Sequence, residues 1–448
     1  MLHAPLIGLY RPDDVLAWEA DGPRTASEFL SDVARLADLL PDRPAVLNLL
    51  SSRYEFLVGF SAAMVRGQVT LLPQSRAPQT LRRIAGDYDG SYCLTNPDEA
   101  VEGIESVMLP SRIGLVHWTA KIPQIPLSQV VAMAFTSGST GQPTPNVKTW
   151  GALVSVARAT GSRFDVKSGN PNGVVATVPH QHMFGLEASV MLPIQHGLTM
   201  HAGRPLFPED IRDMLEEMPG TSLFVTTPLH LHACVTGAVK FPAVGMILSA
   251  TSPLTRELAR QAEQHFQAPV YEIFGFAEAG SVASRRTIET DEWQLLDGVV
   301  LAQEDPGWTV RANYLSCPVR FPDRISVSKQ GTFHVLGRAE DQVNIAGHRA
   351  SIGDLNQTLL ELEGVQDGVF FLPDADEGSV TRLIAFVVAP GKTEDDIQQA
   401  LRTRIDPVFL PRPLLLVARL PRNETGKLPR EALLKLAEHH MGGSPHDV

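Results

Sequence analysis

The sequence predicts an α/β protein in two parts: a large N-terminal domain of layered sheets and helices, about residues 1–338, and a small C-terminal α+β domain, about 341–448. Three observations predict it. Short runs rich in Val, Ile and Leu alternate with helix-period segments through most of the chain, the pattern of parallel strands covered by helices. After Gly337 the same beat becomes tighter, over a stretch of about one hundred residues that suffices for a small domain. The chain has 448 residues, 44% of them hydrophobic, enough for a sizeable core and more than one domain.

Thr25 followed by Glu28 is a capping-box pattern, and Phe29, Leu30, Val33, Leu36 and Leu40 mark one face of the helix it would open. A strand over Ala45–Leu50, a helix near Arg53–Val65 and a strand near Val69–Leu72 come next. Later strands are expected near Val130–Phe135, Val174–Val178, Leu223–Thr226, Met246–Ser249 and Val270–Ile273. In the small domain, helices near Ile352–Leu362 and Glu394–Arg404 alternate with strands near Gly368–Leu372, Leu383–Val388 and Leu414–Val417. The tail from His439 to Val448 is expected to be disordered.

A formal charge of -12, without a long basic run, argues against nucleic acid as the main partner. It does not argue against a nucleotide, which backbone amides and a few charges can hold. Cys93, Cys234 and Cys317 are far apart, lack metal-ligand spacing, and read as small core residues of a protein in a reducing compartment. Met1 to Asp14 has no basic region leading into a long apolar stretch, so no signal peptide is expected. No run reaches the roughly 18 apolar residues of a membrane span. The expectation is a soluble, cytoplasmic protein.

The chemistry begins at Thr136-Ser137-Gly138-Ser139-Thr140-Gly141, hydroxyl residues and glycines directly after an apolar strand. Glycines let the backbone turn and bring its N–H groups close, and hydroxyls add donors, which is what a loop around phosphate oxygens needs. Such clusters are also ordinary loop composition. The segment from Gly141 to Lys148-Thr149 is no mononucleotide P-loop: the interval is too long, and Pro143 and Pro145 interrupt the turn that should open a helix.

Three further segments follow in order: Phe274-Gly275-Phe276-Ala277-Glu278; Gly337-Arg338-Ala339-Glu340-Asp341, continuing to Gly347-His348-Arg349; and Pro421-Arg422-Asn423-Glu424-Thr425-Gly426-Lys427. Together with the Thr136–Gly141 loop they resemble the adenylate-forming superfamily of acyl-CoA synthetases, peptide-synthetase adenylation domains and luciferases. The resemblance runs from about residue 130 to residue 430. The short chain and the continuation Pro143-Thr144-Pro145-Asn146 look like the AMP ligases of aryl polyene and xanthomonadin-type pigment pathways.

The resemblance implies ATP and Mg²⁺ as cofactors and a role for each matching residue. Thr136, Ser137, Gly138, Ser139, Thr140 and Gly141 would hold the β- and γ-phosphates, and Glu278 would bind Mg²⁺. Asp323, eight residues before Gly331, would accept from both ribose hydroxyls, two acceptor oxygens for two donors. Arg338 would lie near ribose and phosphates, and Lys427 would bridge the attacking carboxylate and the α-phosphate. His182, Phe184, Gly185, Ser249, Ala250 and Gly275 would line the acid pocket, with Glu340 as the hinge about which the small domain rotates. His180 or His182 could instead be a core histidine, and a Thr-Gly-Lys turn alone is usually a solvated loop.

The expected reaction is attack of a carboxylate on ATP to give acyl-AMP, then transfer of the acyl group to a phosphopantetheine thiol. Positive potential from Mg²⁺, loop amides and Lys427 would stand where negative charge converges. No Phe-Asp pair appears at the pocket segment where amino-acid-activating relatives keep a carboxylate for the substrate ammonium, so the resemblance implies an apolar or aryl acid, such as a hydroxybenzoate or hydroxycinnamate, over an amino acid. An acyl carrier protein is expected as acceptor, with free coenzyme A as the alternative. Departures from the family pattern are Ala277 for a threonine, Thr144 for a lysine, Glu340 for the hinge aspartate and Asn344 for a lysine. They motivate a reading of another class, a catalytically silent scaffold subunit of a biosynthetic complex.

Overall fold

Thr25 opens the first long helix, Ala26–Leu39: its side chain accepts from the Glu28 N–H while the Glu28 carboxylate takes the Thr25 N–H at 2.7 Å. Phe29, Leu30, Val33, Leu36 and Leu40 are all buried, the face that the sequence marks. The computed structural model describes residues 2–73, 75–109, 121–137, 143–166, 171–305, 307–338, 342–345, 348–373, 382–423 and 426–441.

Two large sheets organise the first three hundred residues. In one, the strand order is Pro143–Thr149, Val130–Ser137, Val69–Leu72, Ala45–Asn48, Tyr92–Thr95 and Ser106–Met108. All neighbours are parallel except the hairpin that joins Val130–Ser137 to Pro143–Thr149. Ala45–Asn48 and Tyr92–Thr95 are buried at every position, which is why these strands are continuous apolar runs rather than alternating ones. The helix Arg53–Val65 contacts strands of both sheets, so it is apolar nearly all round instead of on one stripe.

The second sheet has the order Gln294–Leu295, Gly280–Arg285, Val270–Phe276, Met246–Ser249, Ser222–Thr226, Gly173–Ala176, Thr199–His201, Val15–Glu19 and Gly22–Thr25. Its six inner strands, from Val270–Phe276 to Val15–Glu19, are parallel, and antiparallel strands close both ends. The sequence reading passed over the strands between 280 and 338. They are short and antiparallel, and those from Val299 onward are half exposed, so polar side chains break their apolar runs. Their core is aromatic: the Phe274 ring stacks on Phe321 at 5.3 Å and meets Trp293 and Phe333 edge-on.

Beyond residue 342 a separate three-stranded sheet, Asp367–Phe371, Ile384–Val388 and Leu414–Leu416, carries helices on both faces. Alternation along a strand sends neighbours to opposite sides. Phe370 therefore packs with Leu355, Leu359, Ile397 and Leu401, while Phe371 packs with Phe386, Leu433 and Ala437. The second face corrects one expectation. Helix Arg430–Met441 includes His439 to Met441, placed above as the start of a disordered tail, because Leu433 and Ala437 give it an apolar stripe to bury. Residues 442–448 lie outside the described set.

A second correction concerns the cysteines: Cys93 and Cys234 are buried, but Cys317 is exposed on a loop and is not a core residue. No described helix is long and apolar enough to cross a membrane.

Candidate active site

The parallel strands of the second sheet present their carboxyl ends on one edge, where ligands of open α/β sheets bind. His182, Phe184 and Gly185 follow Gly173–Ala176; Thr227 and His230 follow Ser222–Thr226; Ala250 follows Met246–Ser249; Gly275 and Glu278 lie at the end of Val270–Phe276. Ser249 is wholly buried and its hydroxyl has no hydrogen-bond partner among the described residues. Two residues on, Thr251 holds φ +84°, a left-handed conformation that is a genuine outlier for a β-branched residue and a common mark of a functional edge.

Phe184 is a core residue as much as a pocket wall, packed among Val178, Ala188 and Ile273. Gly185 and Gly275 are fixed by backbone approach. A Cβ at Gly185 would stand 1.9 Å from the Pro179 carbonyl oxygen, and one at Gly275 would stand 2.7 Å from that of Gly280. The two candidate histidines separate here. His180 is the core one, its Nε2 3.0 Å from the Leu50 carbonyl oxygen and its ring 4.5 Å from Phe56. His182 faces Lys427, and burial together with that ammonium pushes its imidazole down to about 3. His230, with Nδ1 2.9 Å from the Thr227 hydroxyl, is pushed down to about 4 by burial and then by Arg204.

These shifts predict acid lability. A free imidazole titrates near 6.5, so below that pH the unfolded chain binds protons that His182 and His230 refuse while folded. Their contribution to stability is complete above pH 6.5 and is lost as pH falls towards 4 and 3. Unfolding midpoints measured against pH should fall more gently in His230→Asn than in the natural chain. The difference should approach one proton, about 1.4 kcal/mol per pH unit. Parallel curves would contradict the shift.

The strands Val130–Ser137 and Pro143–Thr149 pair Ser137 with Pro143, bringing the two ends of the hydroxyl–glycine segment together. Gly138, Ser139, Thr140 and Gly141 lie outside the described residues, as does Glu340; for Thr136 and Ser137 the strand placement alone is described. Across from the hairpin, the turn between Val270–Phe276 and Gly280–Arg285 exposes the Glu278 carboxylate, which makes no hydrogen bond or ion pair with the described residues. The described residues contain no cluster of three or more metal-ligating side chains. A lone open carboxylate beside a phosphate-type loop fits Mg²⁺, which is commonly held by one or two carboxylates together with substrate phosphates.

Asp323 begins its strand directly opposite Arg338 in the antiparallel register, so these two expected nucleotide contacts are neighbours. Lys427 comes from the other end of the chain. Its turn is closed by Gly426 at φ +77°, by the Asn423 N–H donating to the Lys427 carbonyl at 2.8 Å, and by the Lys427 N–H donating to the Asn423 side chain at 2.9 Å. Arg422 braces it, donating to the Gly426 carbonyl at 2.6 Å and to both Asp367 oxygens at 2.5 and 2.7 Å. The exposed ammonium thereby stands near His182, and Gly426 lies against Leu229 of the large sheet's helix Pro228–Thr236.

Sequence reasoning missed three groups. Arg53 marks only the start of a helix in the sequence, yet it is wholly buried and pins the ends of two adjacent strands, Thr199–His201 and the site-bearing Gly173–Ala176. Lys148 and Glu187, both buried, grip the Glu278 turn. A charge inside an apolar run was the available signal for Glu187; Lys148, in Pro143-Thr144-Pro145-Asn146-Val147-Lys148-Thr149, offered none of that kind.

The fold and this gathering of residues are those of an adenylate-forming enzyme. The chain belongs to the AMP-binding enzyme family, whose model matches residues 12–304 and whose C-terminal domain model matches residues 354–427. It is similar to the 4-coumarate–CoA ligase of Halorhodospira halophila, 28% identical over 304 residues that cover 65% of this chain and 73% of the relative. Among solved structures it resembles the o-succinylbenzoate CoA synthetase of Bacillus subtilis in complex with its acyl-adenylate intermediate, with TM-score 0.80, 16% identity and coverage of 94% and 95%. It also resembles ATP-bound MatB of Rhodopseudomonas palustris, with TM-score 0.82, 17% identity and coverage of 98% and 99%.

Proposed function

We propose that this protein is an acid–thiol ligase of the cytoplasm that activates an aryl acid with MgATP as acyl-AMP and passes the acyl group to a phosphopantetheine thiol. The observation that carries the reading is Lys427, on a braced turn whose Gly426 lies against Leu229 and whose charge reaches His182 at the carboxyl edge of the large sheet. In this reading Thr136 to Gly141 hold phosphates, Glu278 holds Mg²⁺, Asp323 and Arg338 hold the ribose side, and His182 with Ser249, Ala250 and Gly275 borders the acid. The body about 1–338 and the body about 341–448 turn about Glu340 between the half-reactions.

The 4-coumarate named for the Halorhodospira halophila ligase supports an aryl acid. The same name favours free coenzyme A as acceptor, whereas the likeness of Pro143–Asn146 to pigment-pathway ligases favours an acyl carrier protein. Acid-dependent ATP–pyrophosphate exchange over aryl, fatty and amino acids tests the first point. Aryl acids should drive it best, and amino acids worst, since an ammonium buried without a partner is costly. Exchange driven best by an amino acid would overturn the substrate reading, and no exchange with any acid would favour a silent scaffold subunit. Presenting each thiol to the formed acyl-AMP decides the acceptor.

A further inference from the structure

Lys148 lies on Pro143–Thr149, the strand that returns from the 138–142 segment, at the edge of the first sheet. An ammonium there is unexpected, because the position is only 5% exposed. Its Nζ donates at 2.9 Å to the main-chain carbonyl of Glu278, which belongs to the second sheet. Glu187, on the six-residue helical segment Leu186–Met191 and also 5% exposed, reaches the same turn from the other side. One of its carboxylate oxygens accepts from the Ser281 N–H at 3.0 Å and from the Ser281 hydroxyl at 2.6 Å. Gly280, at φ +78°, lets the turn pass close: a Cβ there would stand 2.5 Å from the other Glu187 oxygen.

Two buried, oppositely charged groups thus hold the main chain at residues 278 and 281 while the Glu278 side chain stays in solvent. Burial disfavours the charged form of both, and each is a favourable neighbour of the other. A charge is expensive to keep in such a place unless it is paired and hydrogen-bonded. A solvated surface turn needs no such restraint, but a carboxylate that must meet a metal and a phosphate loop in fixed geometry does.

We propose that Lys148 and Glu187 form a buried clamp that positions the Glu278 carboxylate for magnesium by tying its turn to the strand leaving the phosphate loop. The proposal rests on the reading of Glu278 as the magnesium ligand, and it makes Lys148 a positioning residue rather than a catalytic one. It also gives a task to a cation in a chain that has Thr144 where its relatives often have lysine.

The test is calorimetric titration of the whole protein with ATP, once with excess Mg²⁺ and once with a chelator, so that no acid substrate is needed. Glu278→Gln should lose the gain that Mg²⁺ gives, while metal-free ATP, freed of a neighbouring carboxylate, should bind at least as tightly as to the natural chain. The double variant Lys148→Met with Glu187→Gln removes both buried charges together, leaving neither uncompensated. It should melt near the natural chain, bind metal-free ATP unchanged, and bind MgATP about tenfold more weakly, the low end of what losing a group that orients a metal ligand costs. If the double variant keeps natural MgATP affinity while Glu278→Gln does not, the clamp is wrong and the metal reading stands. If Glu278→Gln keeps the Mg²⁺ gain, the metal reading fails and takes the clamp with it. Should the double variant not fold, Ser281→Ala removes only the hydroxyl from Glu187; it should shift MgATP binding in the same direction, and no shift overturns the proposal.

Discussion

Lys427→Ala should lower acyl-AMP formation by about 10²- to 10³-fold, the scale on which a preorganised donor at developing charge contributes. The ammonium is exposed but its turn is stiff: Asn423 closes it from both ends, and Arg422 ties the Gly426 carbonyl to the Asp367 carboxylate. These bonds place the backbone of Lys427, and its ammonium lies within electrostatic reach of His182. In adenylation two anions must approach each other, and a fixed positive charge between them lowers that barrier. In thioester formation the anhydride is already made, and in the proposed rotation the turn has left the site. The variant should therefore still transfer the acyl group from supplied acyl-AMP to a thiol. Both half-reactions are followed separately, with a melting curve to show that the small sheet and its helices remain folded. Equal loss of both in a folded variant would contradict the rotation, and loss of neither would contradict the role of Lys427.

Arg53→Met should destabilise the large domain by several kcal/mol. The guanidinium is wholly buried and donates to the carbonyls of His201 at 2.6 Å, Gly203 at 2.8 Å, Ala176 at 3.1 Å and Val178 at 3.4 Å, and to the Ser189 hydroxyl at 3.1 Å. Burial, followed by the charge of Arg204, pushes its pKa down to about 9, so it remains protonated at neutral pH. Replacing a buried ion pair by apolar groups can be nearly neutral, because both charges leave together. Here the partners are backbone carbonyls where the chain leaves two adjacent parallel strands, and these stay behind. Each buried acceptor left without a donor costs about 1–3 kcal/mol, and that term wins over the relief of desolvating one cation. Arg53→Lys should recover only part, since an ammonium cannot fork across both strands. Urea unfolding checks both: the first transition of the Met variant should move to clearly lower urea, and a Met variant as stable as the natural chain would contradict the account.

Local signals are legible where local physics fixes them. Thr25 and Glu28 announce their helix because capping is a four-residue interaction. The strands Met246–Ser249 and Val69–Leu72 begin and end where the apolar runs do. Strand Val270–Phe276 runs three residues past its expected end, since pairing with Gly280–Arg285 continues it through Phe274-Gly275-Phe276. Helix Arg430–Met441 and the strands from 299 to 338 were not read, because what stabilises them is a distant surface, Phe386 for the helix and Phe274 for the aromatic cluster.

The same division holds at the site. By itself the sequence determined the family, through four motifs in order, and those motifs supply the residues proposed for the reaction: Thr136 to Gly141, Glu278, Asp323, Arg338 and Lys427. Only the tertiary structure decided how they are held. Arg53 reaches strands more than 120 residues away, and Lys148 reaches the Glu278 carbonyl across 130 residues of chain. Such contacts leave no periodicity or spacing in the sequence, because a buried charge is placed by whichever carbonyls or carboxylates the packed sheets bring to it.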